Sequence, residues 1–167
     1  MRNQIIRKGL PILLGLSVLA ISPVAAQDNS TPEERTQWVQ VTHDLESHPL
    51  DDALNRQGET AVKRLIAVHD IHVPLCGALF TEFSGMKYDY GHNIMRQFLR
   101  ASAVFIIQNP DRSSDTRTMS LAALESLLKS YQAILQEKPA AKNKVLDDLL
   151  KKQSEGRLEE VVDKRCR

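Results

Sequence analysis

Three histidines are the residues of this chain best suited to holding a ligand. His69 and His72 stand three apart in a stretch whose apolar spacing predicts a helix, which would set both imidazoles on one face. Asp70 lies between them, and His92 opens the next predicted helix. A zinc or copper ion needs three or four donors at close range. His69, His72, His92 and a carboxylate would therefore form a metal site only if the intervening loop folds back. That loop carries Tyr88 and Tyr90, with Lys87 and Arg96 nearby. The tyrosines would either line a small-ligand pocket or cover the core as aromatic lids, their hydroxyls reaching solvent. Arg96 and Arg100, four apart, share a helix face able to receive an anionic ligand or a partner's carboxylates, although such pairs more often lie solvated on the surface.

Other chemistries find little support. The adjacent carboxylates Glu33-Glu34, Asp51-Asp52, Asp147-Asp148 and Glu159-Glu160 point about 100° apart on a helix and cannot share a proton. Glu-x-x-His, which a ferritin-like di-iron site requires, does not occur. Cys76 is followed by Gly77-Ala78, so no C-x-x-C-H attaches a haem. Met86, Met95 and Met119 leave non-covalent ligation formally open, yet Met95 and Met119 read more simply as core fillers. Neither a G-x-S-x-G elbow nor a glycine-rich phosphate loop is present. These motifs lead us to expect neither an enzyme nor a cofactor, a transition metal at the histidines being the exception.

Amphipathic helices must position these groups. Thr31-Pro32-Glu33-Glu34 carries a capping box with proline at the first helical position. The helix it opens turns Trp38, Val41 and Leu45 inward and stops at His48-Pro49. A second helix is predicted from about Leu50 to Asp70 through Leu54, Ala61, Leu65 and Val68, with Gly58 a tolerated weak point. Its pattern continues through Leu75, Leu79 and Phe83, so Pro74 should kink or split one rod. Ile94, Phe98, Ala101 and Phe105 mark a third helix ended by Asn109-Pro110. Leu121, Leu124, Leu128, Tyr131 and Leu135 mark a fourth, ended near Lys138-Pro139. A shorter helix from about Ala141 to Gln153, through Val145, Leu146, Leu149 and Leu150, and a last short one from Arg157 to Arg165, through Leu158, Val161 and Val162, follow around Gly156. With no strand-like alternation of useful length, the expectation is all-α: an irregular bundle of four longer helices plus one or two short ones.

The chain's first residues read as an address. Arg2, Arg7 and Lys8 precede an apolar run from Leu10 to Ile21, then Val24 and Ala26 as small residues before a cut. The run is too short to span a bilayer, which needs about 20 residues. We therefore expect a cleaved signal peptide at 1–26, a flexible tail at 27–30 and one all-α domain at 31–167, periplasmic or extracellular. The leader holds none of the 21 acidic residues, so its removal leaves a weakly acidic chain with no electrostatic footprint for nucleic acid. Cys76 and Cys166 are the only two cysteines, and in an oxidising compartment they should pair. Together these features suggest an exported non-enzymatic helical domain that binds a protein or envelope component. The alternative is a small-ligand or metal-binding bundle centred on His69, His72 and His92.

Overall fold

A computed structural model describes residues 29–166, so the leader read at 1–26 lies outside the described residues. Within them the chain is all-helical, with no strand. The order is α1 (Pro32–Ser47), α2 (Asp52–Ala67), α3 (Gly77–Ser84), α4 (Gly91–Gln108), α5 (Thr116–Glu137), α6 (Lys144–Ser154) and α7 (Leu158–Arg165). A single 3-10 turn, Pro110–Arg112, joins α4 to α5.

Side-chain caps explain where most of these helices begin. Thr31 Oγ1 accepts from the Glu34 N–H at 3.2 Å, and Glu34 Oε2 accepts from the Thr31 N–H at 2.9 Å, closing the expected box. Asp51 caps α2 through the Leu54 N–H at 2.8 Å. Asp115 caps α5 through the Thr118 N–H at 2.9 Å, and that bond, with Arg112 beside it, holds its carboxyl down to about 2. Asn143 opens α6 by accepting from two backbone N–H groups. Gly156, at φ +69°, makes the left-handed turn between α6 and α7.

The stretch after α2 departs from expectation. The helix stops at Ala67, and Val68 turns extended at φ −82°, ψ 151°. Residues 68–76 then run without helix to a separate α3, so the rod is split, the second of the two outcomes expected at Pro74, and three helices rather than one or two are short. Two causes act together. Val73 precedes proline and is pushed out of the α region. Asp70 is engaged elsewhere: it accepts from the Ser30 N–H at 2.9 Å, the Ser30 hydroxyl at 2.8 Å and Arg35 Nη2 at 2.6 Å. Partial burial would raise the Asp70 pKa, but these donors outweigh it and hold the group down to about 2. Ser30, expected in a loose tail, is thereby pinned.

Helices α4 and α5 form the central hairpin, and the others pack round it. Both helices bury small residues, Ala101 and Ser102 on α4 and Ala123 and Ser126 on α5. Phe98, Leu124, Leu127, Leu128 and Ile134 fill the main core at 0% exposure, with Phe83 of α3 tilted on Phe98 at 5.4 Å between ring centres. Trp38, Val68, Ile71, Phe105 and Met119 make a second cluster. Cys76, at the start of α3, is bonded to Cys166, at the end of α7, across 90 residues. The C-terminus is thus tied to the turn after Pro74, as expected, and an Arg165–Glu82 ion pair adds to the same α7–α3 junction.

Candidate functional site

The histidines do not form the expected face. His69 and His72 lie exposed on the extended 68–76 stretch instead of on a helix, and His92 lies exposed at the start of α4. Among the described residues, no three His, Cys, Asp or Glu side chains converge as a metal centre requires.

Tyr88 and Tyr90 meet edge to face at 5.6 Å, and Tyr88 meets Tyr131 in the same way at 6.1 Å. Both rings pack against the main core, and the hydroxyl of Tyr88, expected to reach solvent, is engaged within the protein. It donates to the Ala141 carbonyl at 2.9 Å. Tyr131 Oη donates to Asp147 Oδ1 at 2.7 Å and accepts from the Asn143 N–H at 2.8 Å. The rings thus fasten the loop before α4 to the loop before α6. Burial pushes the Tyr88 phenol above its ordinary value, and burial with the Asp147 bond pushes Tyr131 up to about 12. A phenol whose folded pKa is raised stabilises the fold fully below its unfolded value of 10.0, and that contribution is lost as pH climbs towards 12. We expect Tyr131→Phe to cost about 1–2 kcal/mol at neutral pH and to flatten the decline in stability between pH 10 and 12. Urea titrations at several alkaline pH values would check both.

The most exposed large hydrophobic among the described residues is Ile66, at 79%. It stands at the lip of an open trough of about 410 Å³. Val62 and Leu65 of α2, Ile71 and Val73 of the extended stretch, Phe80 of α3 and Leu99 of α4 line it. His72 is the sole imidazole in the lining. The end of α2 at Ala67 creates this surface, because the chain can then lay Ile71 and Val73 beside α2 instead of continuing its axis. A groove between α1 and α2 differs in character. Gln37, Arg56, Gln57 and Thr60 line it, and it holds the Arg64–Glu34 ion pair at 2.7 Å.

Behind α2 lies a polar seam. Gln97 Nε2 donates to the Thr42 carbonyl and to Ser126 Oγ, both at 2.9 Å, and Ser130 Oγ donates to the Leu45 carbonyl. Arg100, expected on a solvated face, is only 4% exposed. Its Nη2 donates to Gln97 Oε1 at 2.9 Å, while Nε and Nη1 have no hydrogen-bond partner among the described residues. Burial lowers its pKa to about 10, so it stays charged at neutral pH. Arg96, its neighbour one turn earlier, is ion-paired with Glu59.

Sequence reasoning missed the trough and the depth of Arg100. One signal for the trough was present: Ile71, Val73 and Leu75 alternate with His72 and Pro74, a period of two within a stretch read as helical. Comparison with protein-family models, with curated proteins and with solved structures returned no match.

Proposed function

We propose that this chain is an exported binding module that holds the apolar face of an amphipathic helix of a partner protein in the trough beside α2. The observation that carries this reading is Ile66. A side chain of that size left 79% exposed at the edge of a continuous apolar depression does nothing for the fold, whereas burying it against a partner would contribute about 2 kcal/mol. An amphipathic helix is the occupant favoured by shape, since an open trough receives side chains spaced along one face. The leader pattern supports export, as do the bonded cysteines. No described helix is long and apolar enough to cross a membrane, so the reading does not rely on one.

A small apolar ligand is the second reading. It is favoured by the volume of about 410 Å³, which falls in the range of about 300–1,000 Å³ seen for such sites, and by His72 in the lining.

Ile66→Glu separates binding from folding. Its unfolding free energy should stay within about 0.5 kcal/mol of the parent, because the side chain is solvated. Affinity for a partner isolated with the parent chain should fall at least about tenfold. Equal affinity in the two proteins would sink the trough as the contact surface. Loss of a bound small molecule on native mass measurement, with protein partners unaffected, would favour the second reading.

A further inference from the structure

Arg100 presents an unresolved charge. The guanidinium is 4% exposed, makes one hydrogen bond to Gln97, and leaves Nε and Nη1 unpartnered among the described residues. Glu59, a carboxylate whose field reaches it, is engaged by Arg96. Proteins bury a charge when it is paired, and an arginine cannot escape by losing its proton. The void beside it, lined by Trp38, Thr42, Ala61, Leu65 and Val104, measures about 10 Å³. That is room for about one water and too little for a carboxylate.

The helix that covers Arg100 buries little of itself, although Ala61 and Leu65 pack against the second cluster. Helix α2 contributes a single fully buried residue, Gly58, and a Cβ there would lie 3.0 Å from Arg100 Nη1 and 2.9 Å from Leu45 Cδ1. Glycine is what lets α2 lie flat over the guanidinium. The ties that hold it down include partly solvated ion pairs, Glu59–Arg96 and Arg64–Glu34, which resist opening weakly. Val62 and Leu65 line both the void and the trough, so one helix separates the two.

We propose that α2 is a lid over a carboxylate site: it lifts from α4 to expose Arg100, which then takes an acidic side chain of the protein docked in the trough. The bearer of that carboxylate rests on the trough reading; the lid and its carboxylate chemistry do not. Arginine offers such a group planar two-point bonding, here through Nη2, which keeps a second N–H beyond its bond to Gln97, together with one of the two unpartnered nitrogens.

Amide hydrogen exchange on the isolated chain tests this with acetate as the probe. In about 100 mM sodium acetate, against sodium chloride at equal ionic strength, amides of α2 should exchange about threefold faster while those of α4 and α5 hold steady. Arg100→Met should slow α2 exchange at least about tenfold, because closing the lid no longer buries a charge, and should abolish the acetate response. Arg100→Gln gives the same readout should the methionine variant fail to fold. If either neutral variant exchanges as fast as the parent or faster, or if acetate and chloride act alike on the parent, the lid is wrong. Ile66→Glu distinguishes the two readings. It should keep the acetate response while losing the partner, and an acetate response lost with it would overturn their separation.

Discussion

Replacing both cysteines, Cys76→Ser with Cys166→Ser, is expected to cost about 4 kcal/mol of folding stability. The bond closes a loop of 90 residues, and in the chain-entropy account a loop of that length restricts the unfolded ensemble by about 4–5 kcal/mol. The loss should also be visible locally. Helix α7 is eight residues long, too short to persist alone, and Arg157 begins it without a side-chain cap. What keeps it in place, besides the bond, is the burial of Leu158, Val161 and Val162 and surface pairs such as Arg117–Asp163. Reduction should therefore release α7 and the start of α3 first. Denaturant titration with and without reductant gives the magnitude, and exchange at residues 158–165 gives the order of events. An unchanged midpoint on reduction would mean the bond restrains nothing.

Phe98→Ala against Ile66→Glu makes the second large contrast. Phe98 is 0% exposed and packs on Phe83 within the main core, so truncation removes buried area and leaves a cavity. A loss of about 3–5 kcal/mol is expected. Ile66, of similar hydrophobic weight but 79% exposed, should tolerate even a charge. Thermal or urea unfolding of the two single variants checks the difference. If Ile66→Glu destabilises as strongly as Phe98→Ala, Ile66 belongs to the core and the trough is not a free surface.

How far the sequence leads depends on the range of the interactions. Caps and proline stops act over three or four residues, so Thr31 with Glu34, His48 before Pro49, and Asn109 before Pro110 declared the ends of α1 and α4 correctly. Phe98 and Ala101 sat on the buried line for the same local reason. The bundle was legible because amphipathic spacing persists over whole helices. The 68–76 stretch was misread because Leu65, Val68, Leu75 and Leu79 happen to keep helical intervals across a break that Asp70 and Val73 enforce. Asp70 does so through Ser30 and Arg35, 40 and 35 positions away, a pairing no local pattern displays.

The candidate site was less legible for the same reason. Gly58 reads locally as a helix weak point, yet it is the place where α2 meets the Arg100 guanidinium and Leu45. Arg96 and Arg100 share one face in sequence, but Glu59 forms its ion pair with the first, while the second lies buried under α2. Tyr88 and Tyr90 meet in the loop before α4, but Tyr131, which Tyr88 also meets, stands on α5, more than 40 positions away, beyond the reach of local pattern. Of the histidines, only His72 borders the surface proposed to act.

Site-specific photocrosslinking in producing cells addresses the binding surface most directly. A photoreactive residue at position 72, in the trough lining, should yield one discrete adduct heavier than the chain plus label, and a second change, Ile66→Glu, should remove it. The same residue placed at Gln132, exposed on α5, should give none. No adduct at 72, or equal adducts at 72 and 132, would contradict the account.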